Sequence, residues 1–248
     1  MPVMRLDKLI SNSGTAPRNQ VKRMVREGRI TVNGVAAEDA AMHCDTAWDI
    51  RVDGIRAIWR GSVCLMMNKP AGYLSVTEDR SRPTVLDLLP EEYQHFGLFP
   101  AGRLDMDSQG LLILTNDGAF CHRVISPKSE IFKEYQIRVS HPFPEGAEEQ
   151  FRQGIRLEDG SLCLPAELIP EADRMGAIVR IREGKYHQVK RMTLAVGTRV
   201  QSLKRLSIGG LRLDPALAPG GFRELTEQEK RSVEQSADDE QGHGRNNG

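Results

Sequence analysis

Residues 102–118 read GRLDMDSQGLLILTNDG. A polar run with two aspartates, Asp105 and Asp107, gives way at Gly110 to four apolar residues, Leu111 to Leu114. An apolar run of that length, closed by Asn116–Asp117–Gly118, reads as a short buried strand ending in a turn. Gly102 and Gly110 flank the polar run and permit close backbone approach or dihedrals that a Cβ disfavours. The stretch therefore describes a carboxylate on a short loop whose far end is anchored in the core. If the segment is extended, Arg103 and Asp105 alternate onto one side, bringing a countercharge within reach of the carboxylate. The plainer reading of a loop aspartate is a turn cap or a surface ion pair.

Upstream, Val63 to Met67 is a second apolar run, and it ends in NKPAG at 68–72, a strand leading into a loop. TVLDLL at 84–89 is a short helix candidate before Pro90. Downstream, Phe120 and Val124 stand one helical turn apart, and Ser126–Pro127 stops that helix. Tyr135, Ile137 and Val139 alternate, so KEYQIRVS is a strand. A helix follows over 144–154 and a strand over 177–182. Val189, Met192, Thr193 and Val196 mark a helix that Gly197 ends, and strands over 200–213 close the domain. Strands and helices mix without a βαβ rhythm, which predicts an α+β domain with a mixed, largely antiparallel sheet flanked by helices.

The first 60 residues read as a separate small unit. Leu6, Leu9 and Ile10 mark one helix, ended by Ser13–Gly14. A second starts near Pro17, turns Val21, Met24 and Val25 inward, and stops at Gly28. Asn33–Gly34 between Val32 and Val35 signals a hairpin, and Trp48, Ile50 and Val52 alternate as a further strand before Asp53–Gly54. Residues 1–34 hold seven basic and two acidic residues. Arg18, Lys22 and Arg26 recur every four residues and share one helix face. That face reads either as a solvated surface or as a phosphate-binding stripe.

The blocks RLDKLIS at 5–11, Pro17–Arg18 and GRITVNG at 28–34 resemble the S4 RNA-binding module. GRLDMDSQGLLILTNDG resembles the signature of the pseudouridine synthases, in the branch that carries an N-terminal S4 module. KPAGY at 69–73, KEY at 133–135 and REGKYHQVKRM at 182–192 resemble three further blocks of that family, in the same order. The resemblance implies an S4 domain over 1–60 and a catalytic domain over 61–232, and the polar, glycine-rich end over 233–248 reads as a disordered tail. It implies isomerisation of a uridine within RNA to its C-linked isomer, with no cofactor and no metal. By position, Asp105 is then the essential catalytic residue. Tyr135 would stack under the base and assist proton removal from C5, Lys190 would pair with Asp105 or stabilise a uracil oxyanion, and Arg103 would support the carboxylate. Taken alone, Tyr135 reads as a core or edge-strand tyrosine and Lys190 as part of a solvated helix face.

RNA contacts are expected at Arg5, Arg18, Lys22 and Arg26 of the small unit, and at Lys69, Lys185, His187, Gln188 and Arg191 of the larger one. Residues 178–206 carry eight basic residues and one acidic, which predicts a strongly basic surface beside the site. YHQVKRM and the segment 208–229 are most similar to the small-subunit ribosomal branch. This implies 16S ribosomal RNA, or a small-subunit assembly intermediate, as the partner, with uridine 516 as its target. A large-subunit (23S) enzyme of the same family and a non-catalytic S4-containing assembly factor are the competing readings.

Composition is ordinary for a globular protein: 248 residues, 27% charged, net charge zero. The neutral total conceals basic segments offset by an acidic end, with seven acidic and two basic residues from Glu224 to Glu240. The four cysteines lie far apart without a CxxC spacing, which suggests neither a disulfide framework nor a zinc site. The start MPVMRLDKL has no secretory h-region and no run is long enough to span a membrane, so a cytoplasmic location is the expectation; nothing resembles a heptad or an interface stripe, so a monomer is expected.

Overall fold

The computed structural model describes residues 3–59 and 61–234. Residues 235–248, most of the expected disordered tail, lie outside the described residues, as does Arg60. Two compact units are present: Met1–Cys64 with Val76–Pro100 and Leu114–Gly118, and Leu65–Ser75 with Ala101–Ile113 and Ala119–Gly248. The first unit thus takes in two segments beyond the boundary read from sequence near residue 60.

In the first unit, β1 (Val3–Arg5) leads into α1 (Leu6–Asn12) and α2 (Arg18–Arg26), then β2 (Ile30–Val32), β3 (Val35–Ala36), β4 (His43–Asp45), β5 (Ile50–Val52) and β6 (Ile55–Arg56). Leu6, Leu9 and Ile10 of α1 and Val21, Met24 and Val25 of α2 bury against Ile30, Val32, Ile50 and Val52 in one core. Asn33 and Gly34 both take positive φ, 50° and 84°, as the tight β2–β3 hairpin requires. Asp53 and Gly54 repeat this geometry and pair Ile55 with Val52 in the β5–β6 hairpin. Trp48 precedes β5 in a turn, its N–H donating to Asp45 O, and is not part of the alternating strand. The antiparallel β1–β4 pair was not expected from sequence, because three residues are too few to show a period.

The second unit is built on a mixed sheet. Its strands are β7 (Cys64–Lys69), β9 (Gln109–Thr115), β10 (Lys133–Val139), β11 (Glu167–Pro170), β12 (Gly176–Ile181), β13 (Val200–Ile208), β14 (Leu211–Arg212) and β15 (Phe222–Glu224), in spatial order β11-β12-β10-β13-β9-β7-β15, with β14 on β13. Most pairs are antiparallel, and β9 and β13 run parallel. The helices are α4 (Gly118–Ile125), α5 (Ala147–Gln153), α6 (Gln188–Ala195) and α7 (Glu227–Ser232). Phe151 of α5 and Met192 of α6 bury with Ile137, Val179 and Leu203 of the sheet. In the first unit, α3 (Glu91–Gln94) and β8 (Phe99–Pro100) follow a 3₁₀ turn at Val85–Leu88, where the 84–89 helix was expected. Within the first unit, β8 pairs with Leu114 and Thr115, the last two residues of β9, Phe99 opposite Thr115 and Pro100 opposite Leu114.

The register of β13 ties two of the sequence blocks together. The parallel pairing sets Arg205 opposite Gly110, and the antiparallel one sets Arg205 opposite Tyr135. β13 therefore joins the end of the 102–108 loop to the KEY strand. A Cβ on Gly110 would lie 2.2 Å from Arg205 O, and Gly110 has φ +102°, so only glycine fits there.

Candidate active site

The backbone of the 102–108 loop is held by three buried side chains. The ammonium of Lys69, fully buried at the end of β7, donates to the carbonyl oxygens of Ser108 (2.8 Å), Pro70 (3.0 Å), Asp105 (3.1 Å) and Met106 (3.3 Å). Ser75 Oγ donates to Leu104 O at 2.9 Å and accepts from Leu104 N at 3.1 Å. Arg205, 3% exposed, donates Nε to Leu111 O at 2.7 Å and Nη1 to Arg103 O at 3.4 Å. Within the loop, Ser108 N donates to Asp105 O. Burial pushes the Lys69 pKa down to about 8, although Asp107 and Asp105 pull it up. The cation is thus engaged by four carbonyls, which ties the loop to the end of β7.

Asp105 projects from this loop. Lys190 Nζ lies 2.8 Å from Asp105 Oδ2 and 2.6 Å from Asp107 Oδ1, bridging the two carboxylates. His187 Nε2 lies 3.3 Å from Asp105 Oδ1. Burial disfavours the Lys190 charge, but the hydrogen bonds to Asp105 and Asp107 outweigh it and raise its pKa above the ordinary lysine value. Burial likewise works against the Asp107 charge, and Lys190 and Ser108 overcome it, so its carboxyl sits below the usual value. Lys190 is on the first turn of α6, and His187 just before it takes a left-handed φ of 49°. That conformation, disfavoured in residues with a Cβ, turns the chain into the helix beside the carboxylate.

These groups border an open cleft. Asp105, His187 and Lys190 line it together with the apolar or aromatic Leu104, Tyr135, Ile181 and Leu203. Tyr135 is 8% exposed and belongs to the core of this unit while lining the cleft. The cleft thus combines a carboxylate, a lysine and an imidazole with apolar and aromatic side chains.

Two of the residues expected at an RNA surface are buried. Lys69 is fully buried, inside the strand rather than on the loop. Gln188 is 4% exposed, donating Nε2 to Glu183 Oε1 and accepting from Lys185 N, which braces the 183–188 turn. Lys185 pairs with Glu183 and donates to Leu162 O. Arg191 pairs with Asp159 at 2.5 Å. Arg103 is exposed and lines the cleft with Asp105, but among the described residues no ion pair joins them; Lys190 and His187 hold the carboxylate instead. The strongly basic 178–206 surface is largely neutralised. Arg180 pairs with Glu134 and Glu167, Arg182 with Glu130, and Arg205 is buried.

In the small unit, Arg18, Lys22 and Arg26 are all exposed on α2. Arg5 and Arg18 both pair with the buried Asp7, at 2.8 and 3.3 Å. Burial would raise the Asp7 carboxyl, but the two arginines bring it below its usual value. Ser75 and Arg205 were missed as loop holders. Nothing in the sequence marks Ser75, and Arg205 looked like one more surface cation. Lys133 was also missed. It shares the face of Tyr135 by alternation, and burial with nearby Arg205 pushes its ammonium down to about 8.

Known proteins of similar sequence and structure agree with one another. The family model for RNA pseudouridylate synthase matches residues 63–195, and that for the S4 domain matches residues 4–47. An uncharacterised RNA pseudouridine synthase of Bacillus subtilis is 45% identical, covering 91% of this chain and 96% of its own length. The ribosomal small subunit pseudouridine synthase A of Yersinia pestis is 42% identical, covering 93% of this chain and 98% of its own length. That of Escherichia coli is 41% identical over 93% and 100%. A crystal structure of a pseudouridylate synthase superposes with a TM-score of 0.66 at 33% identity, covering 93% of this chain and 99% of that one.

Proposed function

The chain belongs to the RNA pseudouridylate synthase family and carries an N-terminal S4 domain, and from that premise we propose that it isomerises one uridine of 16S ribosomal RNA, uridine 516, with Asp105 as the catalytic carboxylate. What carries the choice of residue is the placement of Asp105 at the cleft, on a loop locked by Lys69, Ser75 and Arg205 and paired with Lys190 at 2.8 Å. What supports the choice of RNA is the near full-length similarity to small-subunit enzymes.

The reaction breaks the N1–C1′ bond, turns the uracil and joins C5 to C1′; C5 loses a proton and N1 gains one. Bond cleavage leaves positive character on the sugar and negative charge on the base. An anion at Asp105 serves this step by stabilising C1′, by attacking it as glycosidase carboxylates do, or by taking the C2′ proton. Lys190 supplies the countercharge in each case and neutralises uracil oxygens as charge builds. Tyr135 offers its ring face to the base, and the cleft admits a base only after it leaves its stack, at a cost of a few kcal/mol.

The test is direct. The purified chain is incubated with 16S RNA, 23S RNA and small-subunit particles, and pseudouridine is mapped. One new pseudouridine in 16S RNA at position 516 is expected. Modification of 23S RNA alone would overturn the choice of substrate.

A further inference from the structure

The turn before α6 presents an aromatic ring that the chemistry above does not use. Tyr186 is 74% exposed, more than any other large apolar or aromatic side chain among the described residues. It is nevertheless ordered by its neighbour: its ring stacks on that of His187, centroids 3.8 Å apart and planes at 21°. His187 in turn reaches Asp105 at 3.3 Å and lines the cleft. One face of Tyr186 is therefore covered by a group at the reaction centre, and the ring as a whole stays in water.

The turn that carries it is braced by hydrogen bonds. Lys185 N donates to Gln188 Oε1 at 2.8 Å, Gln188 Nε2 to Glu183 Oε1 at 2.8 Å, and Lys185 Nζ to Leu162 O at 3.0 Å. His187 takes a left-handed φ of 49°, and the two adjacent ring planes lie 21° apart. An exposed aromatic ring stacked on a residue that lines the cleft has an obvious complement if the cleft takes an extruded base, because pulling one nucleotide from a strand exposes the faces of its neighbours. Every nucleobase has such a face, and stacking on a tyrosine replaces what flipping removes.

We propose that Tyr186 is the stacking platform for a nucleobase immediately flanking the target uridine, and so helps to hold the strand open while Asp105 acts. This rests on the reading of the cleft as a uridine site. Stacking on a protein aromatic is worth about 1–3 kcal/mol per base, which corresponds to roughly 5- to 150-fold in affinity.

The test is a double-mutant cycle between protein and RNA. Wild type, Tyr186→Ala, Tyr186→Leu and Tyr186→Phe are assayed on a short RNA containing the target and on the same RNA made abasic at the 5′ or the 3′ neighbour. With intact RNA, Ala and Leu are expected to raise KM at least fivefold with a smaller effect on kcat, and Phe to stay near wild type. One abasic RNA should cost wild type a similar factor and cost Tyr186→Ala little more. If Tyr186→Ala leaves KM unchanged, or its effect and those of both abasic sites simply multiply, the platform is refuted. If wild type makes no pseudouridine in the intact RNA, it is the uridine-site reading that fails.

Discussion

Lys69 Nζ donates to the carbonyl oxygen of Asp105 at 3.1 Å, so a buried cation holds the main chain of the very residue whose side chain faces the cleft. The side chain and the main chain of Asp105 thus each meet a lysine, Lys190 outside and Lys69 inside. One balances charge and the other fixes position.

Replacing Lys69 by methionine keeps the volume and leaves the carbonyls of Pro70, Asp105, Met106 and Ser108 without their donor. Loss of loop position should lower kcat about 10- to 100-fold. Stability should also respond to pH. The folded pKa is about 8 against 10.5 in the unfolded chain, so between those values the unfolded chain binds more protons and stability rises with pH. The cost of burying the charge is present below about pH 8 and relieved above it. Unfolding free energies of wild type minus Lys69→Met, measured by urea melts from pH 7 to 10.5, should climb by roughly 2–3 kcal/mol across that window. A flat difference would mean that Lys69 is not held as described.

Lys190→Met removes the countercharge of both Asp105 and Asp107. Single-turnover rates should fall about 100-fold or more, the scale for losing one electrostatic group at a reacting centre. Lys190→Arg keeps the charge and should recover a good part of the rate. Equal losses in both variants would show that the shape of Lys190, not its charge, is what matters.

Gly110→Ala places a methyl 2.2 Å from Arg205 O at a positive φ. Because β9 and β13 meet there, the cost should be about 3 kcal/mol or more, read as a lowered denaturation midpoint. A variant with wild-type stability would refute the close strand approach.

Lys22→Ala and Arg26→Ala remove exposed charge from α2, where the S4 domain is expected to meet phosphates. RNA affinity should fall, and the slope of log K against log salt should become shallower by about one for each phosphate that is no longer neutralised. The effect should fall on binding and not on the single-turnover rate. An unchanged slope would exclude this face from the interface.

Much of this was legible in the sequence because the signals were local. The buried runs at 63–67 and 111–114 and the alternation at 135–139 each became the expected strand. Asn33–Gly34 specified its hairpin because both residues tolerate positive φ. Asp105 and Lys190 were also legible, and the fold brings them together across 85 positions. What was not legible depended on burial set from elsewhere. Lys69 and Gln188 look like surface polar residues in one dimension, and only the sheet and the 183–188 turn put them inside. Arg103 stands two residues from Asp105 and seemed its natural partner, but α6 delivers Lys190 and His187 to the carboxylate first. The basic count over 178–206 could not foresee acidic partners such as Glu134 and Asp159, which lie elsewhere in the chain.

The most direct measurement is pseudouridine formation by Asp105→Asn on 16S RNA under single-turnover conditions, with RNA binding measured in parallel. Asparagine keeps the size and loses the anion. The expected result is binding within a few-fold of wild type and product formation reduced by at least about 10³-fold, the scale seen when an essential catalytic group is removed. Isomerisation by Asp105→Asn at the wild-type rate would contradict the central claim.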